Sequence, residues 1–345
     1  MYKVVLDQDE ITQVRSLADE LAKTCESIED PEFLRMAPVY AQELPLALRR
    51  ELHFFRMEEL GGALVITGLE IDDHQLGPTP GHWAHRPVPS TSLPADIVFF
   101  LCSSLLGDPI GWATQQDGRI MHDVVPSKAH RKEQLGSGSE TLLAWHTEDA
   151  FHPLRTDYLG LLCLRNPDEV STTYASIEDL ELTAEVQNVL HQRRFPIRPD
   201  RSHLPENIGC TKDWDAAAEL LLRRSYEWIT ELNENPDRVA VLFGDEQEPY
   251  LRIDPYFMDA LDAGADPEAA AALEAIVAEV DRVITGYSLR QGEIIFLDNY
   301  RAVHGRRPFK ARFDGSDRWL KRLNIVRDLR KSRDRRLSMA SRVIH

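Results

Sequence analysis

Cysteine is scarce in this sequence. Cys25, Cys102, Cys163 and Cys210 stand far apart, with no Cys-x-x-Cys among them. That spacing argues against a thiolate zinc site or a disulfide framework and predicts a reduced, cytosolic protein. Long apolar runs are missing too: the longest, at 97–102, is far too short to span a bilayer. Residues 1–7 turn acidic at once, unlike a signal peptide. Positive charge is outweighed, 40 Lys and Arg against 57 Asp and Glu, for a formal net charge of −17. Such a balance argues against a nucleic-acid or anionic-membrane surface, because phosphate would be repelled. The same field attracts a small cationic substrate. There is no internal repeat and no low-complexity segment.

What is present is an ordinary globular composition, long enough at 345 residues to bury a large core. Ile11, Val14, Leu17, Leu21 and Cys25 recur at three- and four-residue steps and predict a helix over 8–27. A second helix is expected over 44–58, so that residues up to about 60 are helical. Strands are expected at 63–67, 157–165, 171–176, 238–243, 291–299 and 319–326. Further helices are expected near 92–107, 178–193, 215–233 and 266–285, and a solvated helix over the basic tail 327–336. Asp117-Gly118 predicts a hairpin turn between 111–116 and 120–125. The polar stretch 198–214 has no periodicity and is expected to be functional, as a lid.

The chemistry centres on Trp145-His146-Thr147-Glu148-Asp149. Side chains at i and i+2 of an extended strand share a face, so His146 and Glu148 can reach one ion. His304 follows an apolar strand much further on. Two histidines and one carboxylate on one side of a metal leave three positions open, as in non-haem Fe(II) oxygenases. His82, His85 and His122 are expected on the surface or in ordinary hydrogen bonds. Alone, His-x-Glu is a weak motif. Its weight comes from the buried-strand pattern at 157–165 and from Arg318, fourteen residues past His304 at the start of another strand pattern.

On His-Thr-Glu-Asp-Ala-Phe at 146–151, Leu-Arg-Asn-Pro-Asp at 164–168, Thr-Thr-Tyr-Ala-Ser at 172–176, and His304 with Arg318 and Arg322 behind it, the chain resembles the clavaminate synthase-like Fe(II)/2-oxoglutarate dioxygenases. Within that group it resembles the free amino acid hydroxylases, the arginine hydroxylase of viomycin biosynthesis among them. The resemblance runs from about Gly62 to Val326 and is specific for the family, much less so for the substrate. It implies one α+β domain over 1–345, mainly β, with a double-stranded β-helix (a cupin-like jelly roll) and helices packed outside. It implies Fe(II) on His146, Glu148 and His304. It implies 2-oxoglutarate as cosubstrate, with its distal carboxylate on Arg318 and on Thr173 or Thr172, Thr173 being favoured. It implies an amino acid held by Gln115 and Glu148 at the amino end, Arg322 at the carboxylate and Asp254 at the far end, with dioxygen as the remaining reactant. No nucleic acid or membrane partner is expected.

Where the viomycin-pathway enzyme carries a second acid, this chain has Tyr256. The resemblance, with Asp254 at the place that receives the guanidinium, implies arginine as the leading substrate, in the biosynthesis of a peptide antibiotic, and the departure at Tyr256 leaves citrulline, lysine and asparagine as alternatives at that pocket. Hydroxylation at Cβ or Cγ and desaturation share the same residues, and oligomeric state has no signature. A metal-dependent hydrolase or isomerase on a cupin-like barrel is the competing class. The missing third histidine and the presence of Arg318 count against it.

Overall fold

The computed structural model describes residues 1–204 and 214–345. In chain order its strands are Tyr2–Val5 (β1), Ala63–Thr67 (β2), Asp108–Trp112 (β3), Met121–Val124 (β4), Leu143–His146 (β5), Tyr158–Arg165 (β6), Thr172–Ser176 (β7) and Phe195–Ile197 (β8). Asp237–Val239 (β9), Leu242–Gly244 (β10), Pro249–Leu251 (β11), Thr285–Tyr287 (β12), Ile294–Asp298 (β13), Ala302–Arg306 (β14), Trp319–Val326 (β15) and Val343–Ile344 (β16) follow. The helices are Gln8–Leu21 (α1), Pro31–Tyr40 (α2), Leu46–Met57 (α3), Asp73–Leu76 (α4), Leu93–Leu106 (α5), Ala184–Leu190 (α6), Ala216–Glu234 (α7) and Pro267–Val283 (α8).

Two sheets form the walls of a double-stranded β-helix. The larger runs β1-β2-β13-β6-β15-β3-β16, with β4 also on β15, and the smaller runs β12-β7-β14-β5. Alternation along each strand sorts side chains between the interior and the outer helices. Leu159, Leu161, Cys163, Ile295, Leu297 and Leu320 meet inside the barrel. On the outer face of the larger sheet, Leu162, Phe296 and Leu323 pack against α1, α2, α3 and α5 through Val14, Phe33, Leu52 and Phe99. Behind the smaller sheet, Ala175 and Val303 pack under α6, α7 and α8 through Leu190, Ile229 and Ile276. Burying apolar area on three layers, at about 25 cal/mol per Å², drives this arrangement.

Local chemistry explains where elements stop. Asp7 and Glu10 form a capping box that starts α1. The helix ends at Leu21, short of the expected 27, because the Asp30 carboxylate takes the N–H groups of Glu26 and Ser27 and turns the chain. The expected helix over 178–193 shrinks to α6, which Thr183 caps, and the basic tail forms a 3-10 segment, Leu329–Arg335. The first residues hold a strand, β1, parallel to β2; four residues are too short for a periodicity signal.

The expected hairpin around Asp117-Gly118 is a correction. β3 and β4 do not pair with each other. Both lie antiparallel to β15, β4 beside Leu320 to Leu323 and β3 beside Asn324 to Val326. They are two halves of one interrupted strand. Gln116, Asp117 and Gly118, all at positive φ, loop out between them. A turn dipeptide fixes a local reversal, but each flank found a longer partner in β15. Of the expected lid over 198–214, residues 205–213 lie outside the described residues.

Candidate active site

His146 and His304 are direct cross-strand partners on β5 and β14, so both rings enter the barrel from one wall, 4.6 Å between centroids. Gly305 makes this possible. A Cβ there would sit 2.6 Å from the Leu143 carbonyl oxygen and 2.9 Å from Thr173 Oγ1, so any larger residue would push β5 and β7 off β14. Glu148 reaches the same point differently from the expected extended strand, because β5 ends at His146. A turn follows, with Asp149 at φ 50°. The Thr147 N–H donates to the Ile253 carbonyl, and Asn299 clamps Glu148. Asn299 Oδ1 accepts the Glu148 N–H at 2.6 Å, and its Nδ2 donates to the carbonyls of Glu148 and Thr156 at 3.0 and 2.9 Å.

Glu148 Oε2 lies 3.2 Å from His304 Nε2 and 3.8 Å from His146 Nε2. One ligand atom from each of the three residues falls within 4.8 Å of the others. His146 Nδ1 sits 2.8 Å from the Ala144 carbonyl; donating there leaves the Nε2 lone pair for the site. The charges fit a cation. Burial opposes protonation of His146, yet Glu148 and Asp254 outweigh it and push its pKa up to about 10. Burial opposes ionisation of Glu148, but Arg322, His146 and His304 hold its carboxyl well below the usual range. A proton on His146 stands where a divalent ion would supply the positive charge. Two imidazoles and one carboxylate on one side are the donor set of a facial iron site.

Beside these groups lies a cavity of about 90 Å³ whose walls include Thr172, Arg318 and Arg322. Arg318 is buried, and among the described residues its Nε has no hydrogen-bond partner and its side chain makes one long hydrogen bond, 3.4 Å to Thr172 Oγ1. Burial pushes its pKa down to about 10, with the Cys163 thiol beside it acting the other way. An orphaned guanidinium at the bottom of a cavity fits a carboxylate. Thr172, not the favoured Thr173, lies next to it. Thr173 is buried on the opposite face of β7, with Ala175, so of the two expected threonines Thr172 is the one beside Arg318. The i, i+2 rule places Thr172 inward once β7 is registered on β14 through Thr172↔Arg306.

Arg322 spans the site. It donates to Glu148 Oε1 and Gln115 Oε1, both at 2.8 Å, and to His122 Nδ1 at 2.7 Å. Gln115 Nε2 is 2.6 Å from Ser202 Oγ and 2.9 Å from His203 Nε2. Asp254 is buried behind the metal turn and accepts the N–H groups of Tyr256 and Phe257. Burial and then Asp200 push its pKa up to about 7, against the pull of His146. Asp200, not Asp254, lines the cavity.

Sequence reasoning missed several of these groups. His122, expected to be an ordinary histidine, is a buried partner of Arg322. Arg306 sits two residues past His304 on the same face of β14, a signal the strand period carried. Its pKa is pushed down to about 9 by burial and by Arg318. Asn299, Asp149 and His203 had no local signature. His203 binds Asp149 Oδ1 at 2.8 Å, and Trp112 Nε1 donates to Asp149 Oδ2 at 2.7 Å.

Next to Asn299, Asp298 is buried, and its pKa is pushed up to about 7 by burial and by Glu59. The ordinary value is 3.8, so between about pH 4 and 7 the folded chain keeps a proton that the unfolded chain has lost. Stability should therefore fall as pH rises through that window. Asp298→Asn keeps the acceptor for the Tyr300 N–H and removes the titration. We expect it to match the parent near pH 4 and to exceed it at pH 8 by a few kcal/mol, at about 1.4 kcal/mol per pKa unit, in urea unfolding.

Comparison with known proteins bears on these observations. Residues 225–324 match the taurine catabolism dioxygenase TauD, TfdA family. The chain is 53% identical over 346 residues to an enduracididine beta-hydroxylase of Streptomyces hygroscopicus, covering 100% of both chains. It is 46% identical over the full length of both to an L-ornithine/L-arginine 3-hydroxylase of Catenulispora acidiphila. Its fold matches a crystal structure of the non-heme iron oxygenase OrfP in complex with Fe, succinate and (3S)-hydroxy-L-Arg, with a TM-score of 0.91, 41% identity and 100% of both chains covered.

Proposed function

The chain belongs to the clavaminate synthase-like Fe(II)/2-oxoglutarate-dependent dioxygenases, and from that premise we propose that it hydroxylates Cβ or Cγ of a free basic L-amino acid, arginine first. The observation that carries this is the convergence of His146, Glu148 and His304 on a cavity that also holds the orphaned Arg318. The relatives that act on arginine, ornithine and enduracididine fit a cationic side chain.

In this reading His146, Glu148 and His304 hold Fe(II), and Arg318 with Thr172 receives the distal carboxylate of 2-oxoglutarate. Bound iron would bring together dioxygen, as the oxidant, and 2-oxoglutarate, which is oxidised to succinate and carbon dioxide, to supply the chemistry that removes hydrogen from an unactivated carbon. The chain's own residues decide which carbon. Arg322 is half-buried among acceptors and free to exchange its Glu148 or Gln115 contact for a substrate α-carboxylate. Gln115 and Glu148 then face the α-amino group. Asp254 and Asp200 set a negative field for the far end, although Tyr256 stands where a second acid is expected. Clamping both ends places Cβ or Cγ toward the metal.

We read the chain as one domain, since β1 and β16 occupy the two edges of one sheet. No helix among the described residues is long and apolar enough to cross a membrane. Unpaired Cys25, Cys102 and Cys163 support the cytosol as its place. A role in peptide-antibiotic biosynthesis rests on the named relatives alone.

The test is succinate formation with Fe(II), 2-oxoglutarate and single L-amino acids, with mass spectrometry of each product. One added oxygen on arginine supports the proposal. The same gain on citrulline or lysine instead would reassign the Asp254 pocket, and loss of two hydrogens would make the enzyme a desaturase. Absence of stimulated turnover with every free amino acid would overturn it. The role of His122 is checked in the same assay. His122 Nε2 lies 3.0 Å from the Arg119 carbonyl, and donation there leaves Nδ1 to accept from Arg322. Burial and Arg322 hold its pKa well below the ordinary value, in keeping with a neutral ring. His122→Leu should raise the amino acid KM by roughly ten-fold or more, the scale of a lost bond to a charged group. His122→Asn, which keeps an acceptor, should recover most of that loss, and the 2-oxoglutarate KM should hold in both.

A further inference from the structure

Behind the metal turn, on the side away from the cavity of His146 and Arg318, three arginines surround a second cavity of about 240 Å³: Arg155, Arg193 and Arg252, with Val239, Ala240 and Phe243. Among the described residues its lining contains no carboxylate. Arg155 is 7% exposed, and its Nε and Nη2 are buried with no hydrogen-bond partner. It forms no ion pair among the described residues. Its guanidinium stacks 4.4 Å from the Tyr300 ring and 5.1 Å from that of Phe243. Those rings fix its plane without satisfying its donors.

Arg252 is held by the carbonyls of Ala150 and Phe151, just past Glu148. Burial, and then the charges of Arg155 and Arg193, push its pKa down to about 10. Asp157 and Asp237 act on these cations only through space. The carboxylate of Asp157 accepts the Arg327 N–H instead. A chain with net charge −17 has acids to spare, yet none among the described residues pairs with this cluster. Each buried donor left unpaired is destabilising, a cost that a bound acceptor would remove.

We propose that this cavity is a binding site for a tetrahedral oxyanion of the phosphate class, free or at the end of a small phosphomonoester. Guanidinium forks suit such an anion because each donates two parallel N–H groups, and the apolar wall of Val239, Ala240 and Phe243 accommodates an organic tail. The site is independent of the reaction proposed above. Its bond to that chemistry is mechanical: Arg252 ties it to the carbonyls that follow Glu148 in the metal turn.

The experiment uses the full chain, kept anaerobic with Fe(II) and saturating 2-oxoglutarate, at constant ionic strength set with sodium chloride. Inorganic phosphate, phenyl phosphate and chloride are compared by thermal unfolding and titration calorimetry. Phosphate should raise the melting temperature where chloride does not. Arg193→Ala, at an exposed position, and Arg155→Gln should each weaken the interaction by roughly ten-fold or more, the scale of a lost charged hydrogen bond, with the visible band of the iron site unchanged. Tighter binding of phenyl phosphate than of phosphate assigns a phosphomonoester; the reverse assigns the free anion. If Arg155→Gln does not fold, Arg193→Ala carries the test. Stabilisation no larger than that by chloride, or unchanged in Arg193→Ala, would overturn the proposal.

Discussion

A His304→Ala variant is expected to show no visible charge-transfer band when Fe(II) and 2-oxoglutarate are added without oxygen, and to lose more than about 100-fold of its succinate formation, since even groups that merely orient metal ligands are worth about 10–100-fold. Three ligand atoms within 4.8 Å form the minimum set for this iron geometry, and the site has no described fourth residue to substitute. The loss should be specific. His304 is the cross-strand partner of His146, but the sheet is held by backbone hydrogen bonds that alanine keeps. Circular dichroism should therefore match the parent. In the metal-free protein the variant should also let the Glu148 pKa rise, because His304 helps to hold Glu148 ionised. A band of parental intensity in this variant would mean that the iron sits elsewhere.

The second large effect is at Asp254. Asp254→Ala should weaken binding of the basic amino acid by about 3–5 kcal/mol, the cost of leaving a buried charge without its partner, while the Fe(II)·2-oxoglutarate band keeps its midpoint. Asp254→Asn separates charge from shape. It retains an acceptor for the Tyr256 and Phe257 N–H groups, so a similar loss identifies charge as the cause. The raised pKa gives a further check. With its value pushed up to about 7, the empty site holds a neutral carboxyl below that pH and a carboxylate above it. Affinity for arginine should thus rise between about pH 6 and 8 and level off above, and Asp254→Asn should flatten that rise. A loss well under ten-fold in Asp254→Ala would remove Asp254 from substrate recognition and leave Asp200, on the cavity wall, as the acid that matters.

Parts of this site were legible in the sequence because they are local. His146 and Glu148 lie two apart beside a strand, and Arg318 opens the β15 strand at a fixed distance from His304. The longer helices were legible from the repeat of Ile11, Val14, Leu17 and Leu21 on α1 and from Asp266 and Pro267 at the start of α8. Other parts failed for the same reason. Thr172 and Thr173 are adjacent residues of one strand, and a one-residue choice of register decides which faces inward. The Asp117-Gly118 turn was visible, but whether its flanks pair with each other or with β15 depends on a strand two hundred residues away. His122 carried no motif at all, since its importance lies in Arg322, which arrives from that same distant strand.

The sequence by itself determined the class of this protein: a metal-ligand phrase, an arginine behind the second histidine, and apolar strands enough for a barrel. Only the tertiary structure decided which residues meet. It made His146 and His304 cross-strand neighbours, joined His122, Gln115, Arg322 and Glu148 in one network, turned Thr172 toward Arg318, and gathered Arg155, Arg193 and Arg252 around a cavity with no acid. The physical reason is range. Helical and strand periods record what a residue does within a few positions of itself. Strand register and burial are set by contacts between distant segments, and they fix the pairings, the orphaned donors and the shifted pKa values on which the chemistry depends.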